Sequence, residues 1–449
     1  MYEQDFISNL CTSFEKNNKI TPESYKTYDI KRGLRNSDGT GVIAGISCIG
    51  DVHGYRYIDG KKVPDKGILT YRGIDISQVV RNISHDDRFG FEEICYLLLV
   101  GNLPSKDELH HFTELLGSRR ELPKNFTEDM IMRAPSSNVM NKLASSTLSL
   151  YAYDNFAEEN SSENIMRQAI ELISRFPIII SHAYQAKRRY YNNSSMYLHI
   201  PDKGLSTSQN ILKLIRRDKK YSDAEAKLLD KCLIVHAEHG GGNNSAFTTR
   251  VLSSSSTDTY SAIAAAVGSL KGFRHGGANI KVSHMFDDIK ANVENWRNED
   301  EVMAYLEKIL RKEAYDNTGL IYGMGHAIYT LNDPRADIIR DNARTLAHNS
   351  AYSDEFDLIE LVEKLTPEAY YRVRGVRKTM CSNVDMYSGF VYKLLGIPED
   401  LFTPIFAASR IVGWMAHRME EIVYGGKIIR PAYQALYNPS NFIDLNERG

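Results

Sequence analysis

The chain has 449 residues, 55 Lys and Arg against 57 Asp and Glu for a formal charge of −2, and 42% apolar and 25% charged residues. Two or three domains are expected at about 150 residues each, with a core large enough to fold without disulfide or metal. Near-neutral charge leaves no electrostatic footprint for nucleic acid or an anionic membrane surface. No apolar run reaches the ~18 residues of a spanning helix. The opening MYEQDFISNLCTSFEKNN is too polar and acidic for a signal or transit peptide. Cys11, Cys48, Cys95, Cys232 and Cys381 are scattered, without C-x-x-C spacing, which disfavours a disulfide framework or zinc ribbon and makes a reduced cytoplasmic setting the expectation.

Only 13 prolines and long periodic segments predict a mainly α protein. Residues 1–45 are polar and weakly patterned and read as a helix plus an arm. Tyr55–Gly60 and Gly67–Gly73 read as a β-hairpin with a polar turn between its arms. Phe91–Leu99 reads as a buried helix stopped by Gly101 and Pro104; Ser105 with Asp107 and Glu108 opens the next. Further helices are expected over 139–152, 163–190, 223–236, 259–271, 300–315, 335–348, 355–365, 384–396 and 401–423. Ser253–Ser256 reads as a local loop. A more charged stretch at 276–301 and the return of apolar helices after Pro398 divide the chain. The expected parts are an arm (1–45), a large domain (46–275 with 389–449) and a small inserted domain (276–388).

Four segments concentrate His, Arg and Asp among glycines. In His236-Ala237-Glu238-His239-Gly240-Gly241-Gly242-Asn243, two histidines three apart on one helical face raise zinc binding, while the glycine run argues for backbone brought close to a ligand. In Gly272-Phe273-Arg274-His275-Gly276-Gly277, His275 falls in a turn at a helix N-terminus, which keeps an imidazole neutral and able to donate to a forming enolate. Tyr322-Gly323-Met324-Gly325-His326 precedes Asn332-Asp333-Pro334-Arg335, so a histidine and an arginine nine residues on could converge on a small anion. In Ser382-Asn383-Val384-Asp385, the aspartate stands at a helix start, where its ordinary role is capping. Arg410, within the apolar stretch Ile405–Met415, is costly unless its guanidinium meets an anion. Arginines suit carboxylates, and His with Asp suits proton transfer beside a carbonyl. No Ser or Cys carries an elbow motif, so a covalent acyl-enzyme is not indicated. The residues alone therefore reach a di- or tricarboxylate site with acid–base carbon chemistry.

From the hairpin to Pro431 the chain resembles the citrate synthase family. The resemblance rests on G-I-L-x-Y-R-G, F-E-E-x-x-Y-L-L-L-x-G-x-L-P, H-A-E-H-G-G-G-N, H-G-G-A-N, G-M-G-H-A with D-P-R-A, N-V-D-x-Y-S-G, T-P-I-F-A-x-S-R and R-P, in the family's order. It implies the citrate synthase fold: a large helical domain, a smaller inserted helical domain and one small β-hairpin near the N-terminus. It implies a homodimer that condenses acetyl-CoA with oxaloacetate and water to citrate and CoA, with no cofactor and no metal, so that the zinc alternative recedes. It makes Asp385 the base, His275 the donor to the thioester oxygen and His326 the group that polarises the ketone. It gives oxaloacetate binding to His239, Arg335 and Arg410, with Arg430 reaching from the neighbouring subunit. CoA binding falls to Tyr322, Gly323, Met324, Gly325 and Lys378. Thr330 departs from the family, in which many members place Lys or Arg; weaker CoA binding is expected unless Arg374 or Arg377 compensates. The closest rival is 2-methylcitrate synthase, which uses propionyl-CoA, since one methylene alters discrimination by only ~1–3 kcal/mol. A non-catalytic helical binding protein is a rival of another class, disfavoured by the retained Asp385, His275 and His326.

Overall fold

A computed structural model describes residues 3–448. Helix dominates at 58% against 6% strand, the mainly α class that the sequence predicts. By contacts the chain separates into two units: residues 45–428, and the two chain ends, up to Ala44 and from Ile429 onward.

The terminal unit carries the helices Glu3–Asn17 and Pro22–Thr27, the second capped by Thr21, whose side chain accepts the Ser24 N–H. The Tyr437 hydroxyl donates to the Asn17 carbonyl. Phe6, Ile7, Leu10 and Phe14 of the first helix are exposed, and Arg430 lies in this unit, also exposed.

The main unit opens with an antiparallel sheet ordered β1 (Gly50–Ile58), β2 (Lys61–Tyr71) and β3 (Ile74–Asp75). Its hairpin is tighter than expected. Asp59 and Gly60, both at positive φ, make the whole turn, and Lys61–Pro64 pair with Ile58–Tyr55. A two-residue turn of this type matches strand twist, so the polar residues beyond it continue the ladder. The Phe91–Val100 helix stops at Gly101 in the left-handed region, and Ser105 with Glu108 forms a reciprocal capping box for Lys106–Ser118.

At the centre runs Phe402–Glu420, buried through nearly all its length. It packs against Phe91–Val100, Val139–Ser149, Ser162–Tyr191, Asp223–His236, Asn244–Ser253 and Thr259–Lys271. Beside this core, Val384–Leu394 packs on Ala278–Asn292, Pro334–His348 and Asp223–His236. Arg410 on the central helix and Asp385 on Val384–Leu394 are thereby carried on packed helices. Among the described residues, no helix is long and apolar enough to cross a membrane.

Candidate active site

Asn383, not Asp385, caps Val384–Leu394: its side-chain oxygen accepts the Asp385 N–H at 3.0 Å. The capping role weighed for Asp385 is thus filled by its neighbour, and the Asp385 carboxyl is available for other work. Asn383 also stitches in the glycine loop. Its N–H donates to Gly323 O (2.8 Å), its Nδ2 donates to Gly325 O (2.9 Å), and Gly325 N–H donates to Cys381 O (2.7 Å). Gly323 is at φ +84°, and a Cβ there would stand 2.9 Å from Met386 Sδ. The Gly-x-Gly therefore lets this loop lie against the Asp385 helix.

The same loop presents His326. Its Nδ1 accepts the N–H groups of Ile328 (3.1 Å) and Tyr329 (3.2 Å). Its Nε2 lies 3.4 Å from Nη2 of Arg335. Asp333 holds Arg335 in turn: Nη2 donates to Oδ2 at 2.7 Å and Nε to Oδ1 at 3.0 Å. Asp333 Oδ2 also accepts the Val384 N–H at 3.2 Å, which ties the arginine to the start of the Asp385 helix. His239 meets His326 edge-on at 5.2 Å between centroids, and Tyr329 stacks on His326 at 4.7 Å. His239 and His326, 87 positions apart in the chain, thus share one locality.

His275 stands in the turn before Ala278–Asn292, as expected, with Nε2 3.0 Å from Ser245 Oγ. Trp414 Nε1–H donates to the same oxygen at 3.0 Å, and Asn243 Oδ1 accepts from it at 3.0 Å. Trp414 can only donate, so the single Ser245 hydroxyl hydrogen is shared between Asn243 and His275. Given to His275, it places the ring proton on Nδ1 and makes that edge the donor. Ser245 sits at the start of a helix whose motif drew attention to its glycines instead.

Arg410 is fully buried. Its Nε donates to His236 O at 2.5 Å, and it stacks on Phe406 at 4.6 Å, while Nη1 and Nη2 have no hydrogen-bond partner among the described residues. A buried guanidinium with two unpaired nitrogens is unfavourable by itself and is a receptor for an anion. The expected helical face for His236 and His239 is corrected here. Asp223–His236 ends at His236, whose ring packs on Phe406 (4.4 Å), while His239 lies beyond the helix against His326 and Tyr329. His239 Nε2 is buried without a partner. The glycines after it make room chiefly for the protein's own side chains. A Cβ at Gly240 would meet Val52 at 3.3 Å, and one at Gly241 would meet Arg250 and His417 at 3.2 and 3.3 Å.

Electrostatics follow from this burial. Desolvation pushes the Asp385 carboxyl up to about 6, partly offset by Arg335. Burial and then the Arg410 charge push His275 down to about 4, and burial with Arg335 holds His239 well below the usual imidazole range. Burial brings Arg410 down to about 10, with Glu238 its foremost counter-charge. Near pH 7 the locality therefore holds an ionised carboxylate of raised basicity, neutral imidazoles and two guanidiniums. That set can take a proton from carbon, donate hydrogen bonds to developing oxyanions and hold carboxylates.

The Tyr322 hydroxyl donates to Asp316 at 2.7 Å, which leaves the loop backbone from Tyr322 to Gly325 as the part free of side-chain ties to that acid. Met324 pairs as an isolated bridge with Ser382. Lys378 is exposed, with Nζ 5.9 Å from the Tyr370 ring centre. Thr330 turns inward and donates to Gly54 O at 3.4 Å. Arg374 donates to Leu310 O (3.0 Å), whereas Arg377 is exposed over Tyr371. Arg430 belongs to the terminal unit. Ser245, Asp333, Tyr329 and Glu238 were not singled out by the sequence; Asp333 alone had a signal, as an Asp before Pro at a helix start.

Residues 39–432 match the family profile described as "Citrate synthase, C-terminal domain". The citrate synthase of Corynebacterium glutamicum is 32% identical over 84% of this chain and 81% of its own. A 2-methylcitrate synthase of the same organism is 29% identical over 91% and 95%. The solved ternary complex of carboxymethyl coenzyme A and oxaloacetate with citrate synthase from Thermoplasma acidophilum superposes with a TM-score of 0.76 at 25% identity, over 93% of this chain and 99% of that one.

Proposed function

The chain belongs to the citrate synthase family of acyltransferases, and on that premise we propose that it condenses acetyl-CoA with oxaloacetate and water to give citrate and CoA. The observation that carries this reading is the gathering of a basic Asp385 carboxylate, a neutral His275, His326 beside Arg335, and an Arg410 guanidinium whose Nη1 and Nη2 have no partner among the described residues. Asp385 removes a methyl proton of acetyl-CoA while His275 donates to the thioester oxygen, so the enol forms without a free enolate. The enol carbon attacks the ketone of oxaloacetate, whose oxygen His326 polarises. His239, Arg335 and Arg410 hold the carboxylates, and Arg430 of the neighbouring subunit completes that set in a homodimer. Water then hydrolyses the citryl thioester. Tyr322 to Gly325 and Lys378 meet CoA, and residues 276–388 act as the small domain that closes to keep water from the carbon nucleophile.

Release of CoA from acetyl-CoA in the presence of oxaloacetate, followed with a thiol reagent, tests the proposal; no oxaloacetate-dependent release would refute it. Propionyl-CoA in the same assay addresses the second reading, which the similarity to a 2-methylcitrate synthase supports. A larger kcat/KM for propionyl-CoA would move the assignment to that activity.

A further inference from the structure

Glu238 has no part in the reaction steps above, yet it is fully buried beside them. Its Oε1 accepts from His417 Nε2 at 2.9 Å, and its Oε2 has no hydrogen-bond partner among the described residues. The carboxylate is fitted between two glycines. A Cβ at Gly50 would stand 2.9 Å from its Cγ, and one at Gly413 would stand 2.2 Å from Oε2. Gly413 is one helical turn beyond Arg410 on Phe402–Glu420, and Arg410 Nε holds the carbonyl of His236, two residues before Glu238. Glu238 Oε2 thus rests against a residue one helical turn from Arg410, both side chains are fully buried, and the Glu238 charge acts on the Arg410 guanidinium. There, opposite charges attract strongly, and a direct salt bridge would be the default outcome. Such a bridge would occupy the nitrogens that a substrate carboxylate needs.

The hydrogen-bond chain behind Glu238 accounts for its restraint. Arg250 Nη2 lies 2.8 Å from His417 Nδ1. A guanidinium only donates, so Nδ1 accepts, and the His417 proton is on Nε2, directed at Glu238. Arg250 is fixed by Glu421 at 3.0 Å and by Glu420, whose Oε1 accepts the Cys48 N–H at 2.7 Å. We propose that His417, oriented by Arg250, is a positioning residue that tethers Glu238 away from Arg410 and so keeps that guanidinium open for a carboxylate of the substrate. The proposal rests on the reading of Arg410 given under Proposed function.

The test is calorimetric titration of oxaloacetate into the full-length protein and its variants. His417→Leu removes the tether, and oxaloacetate binding should weaken about tenfold or more as Glu238 closes on Arg410. Adding Glu238→Gln removes the competing charge, and the double variant should return to within about threefold of the parent. A purely structural role gives the opposite order, with the double variant as weak as the single or weaker, and that result overturns the tether, as does an unchanged single variant. Should circular dichroism show that His417→Leu does not fold, Arg250→Gln alone and with Glu238→Gln makes the same comparison. Failure of the parent chain to bind oxaloacetate would instead overturn the reading of Arg410 itself.

Discussion

Replacing Asp385 by Asn should abolish turnover and at the same time stabilise the protein. The carboxyl titrates at about 6 in the fold against 3.8 in the free residue, with burial the dominant cause. The native state therefore holds the proton more tightly than the unfolded chain. As pH rises through that interval the unfolded chain ionises first, so the fold loses stability, and the whole penalty is present above pH 6. At 1.36 kcal/mol per unit the penalty is about 3 kcal/mol as a ceiling, and about 2 kcal/mol when the partial exposure of the side chain is allowed for. Asn mimics the neutral form and escapes it. Equilibrium urea unfolding should show the variant more stable by this amount at pH 7.5, with about one-third of the gain left at pH 4.5. Turnover should fall by orders of magnitude while oxaloacetate still binds. A variant that is less stable than the parent at pH 7.5, or whose advantage does not shrink on acidification, would refute the picture of a strained, desolvated base.

On the proposed mechanism the same ionisation governs rate. The kcat/KM for the acyl-CoA should fall about tenfold per pH unit below pH 6 as Asp385 protonates, and a profile flat to pH 5 would remove it as the base. Ser245→Ala should cut kcat by about 10–100-fold with little change in the KM for oxaloacetate, because it frees the tautomer of His275 and leaves the carboxylate contacts alone. An equal loss in both parameters would make Ser245 a packing residue only. Arg430→Ala should raise the KM for oxaloacetate in a protein that sedimentation shows to be an intact dimer, and undiminished affinity would take Arg430 out of the site.

Elements with punctuation of their own were readable from the chain. Gly101 and Pro104 bounded the Phe91–Val100 helix, and Ser105 announced the next. The Thr207–Ile215 and Asn244–Ser253 helices were not read. The first did carry a capping box, Ser206 with Gln209, whereas Asn243 makes no side-chain cap and the second helix is mixed in character. The hairpin turn was placed too late because its Lys and Asp residues look like a loop, although they lie on the first half of β2, which pairs with β1 alone and leaves their other side without a strand partner. At the site, residues whose chemistry is conspicuous alone, such as Asp385 and Arg410, stood out. Those that act by orienting others did not, because their value lies in a partner distant along the chain: Ser245 in His275, Asp333 in Arg335, His417 in Glu238. The glycine run shows the limit most plainly. Glycine signals that something must come close without saying what, and at Gly240 and Gly241 the close neighbours are Val52, Arg250 and His417. On the proposed reading, the missing side chains there admit the supports of the oxaloacetate-binding residues, so Gly241→Ala should weaken oxaloacetate binding in calorimetric titration by displacing His417, and unchanged affinity would refute that route.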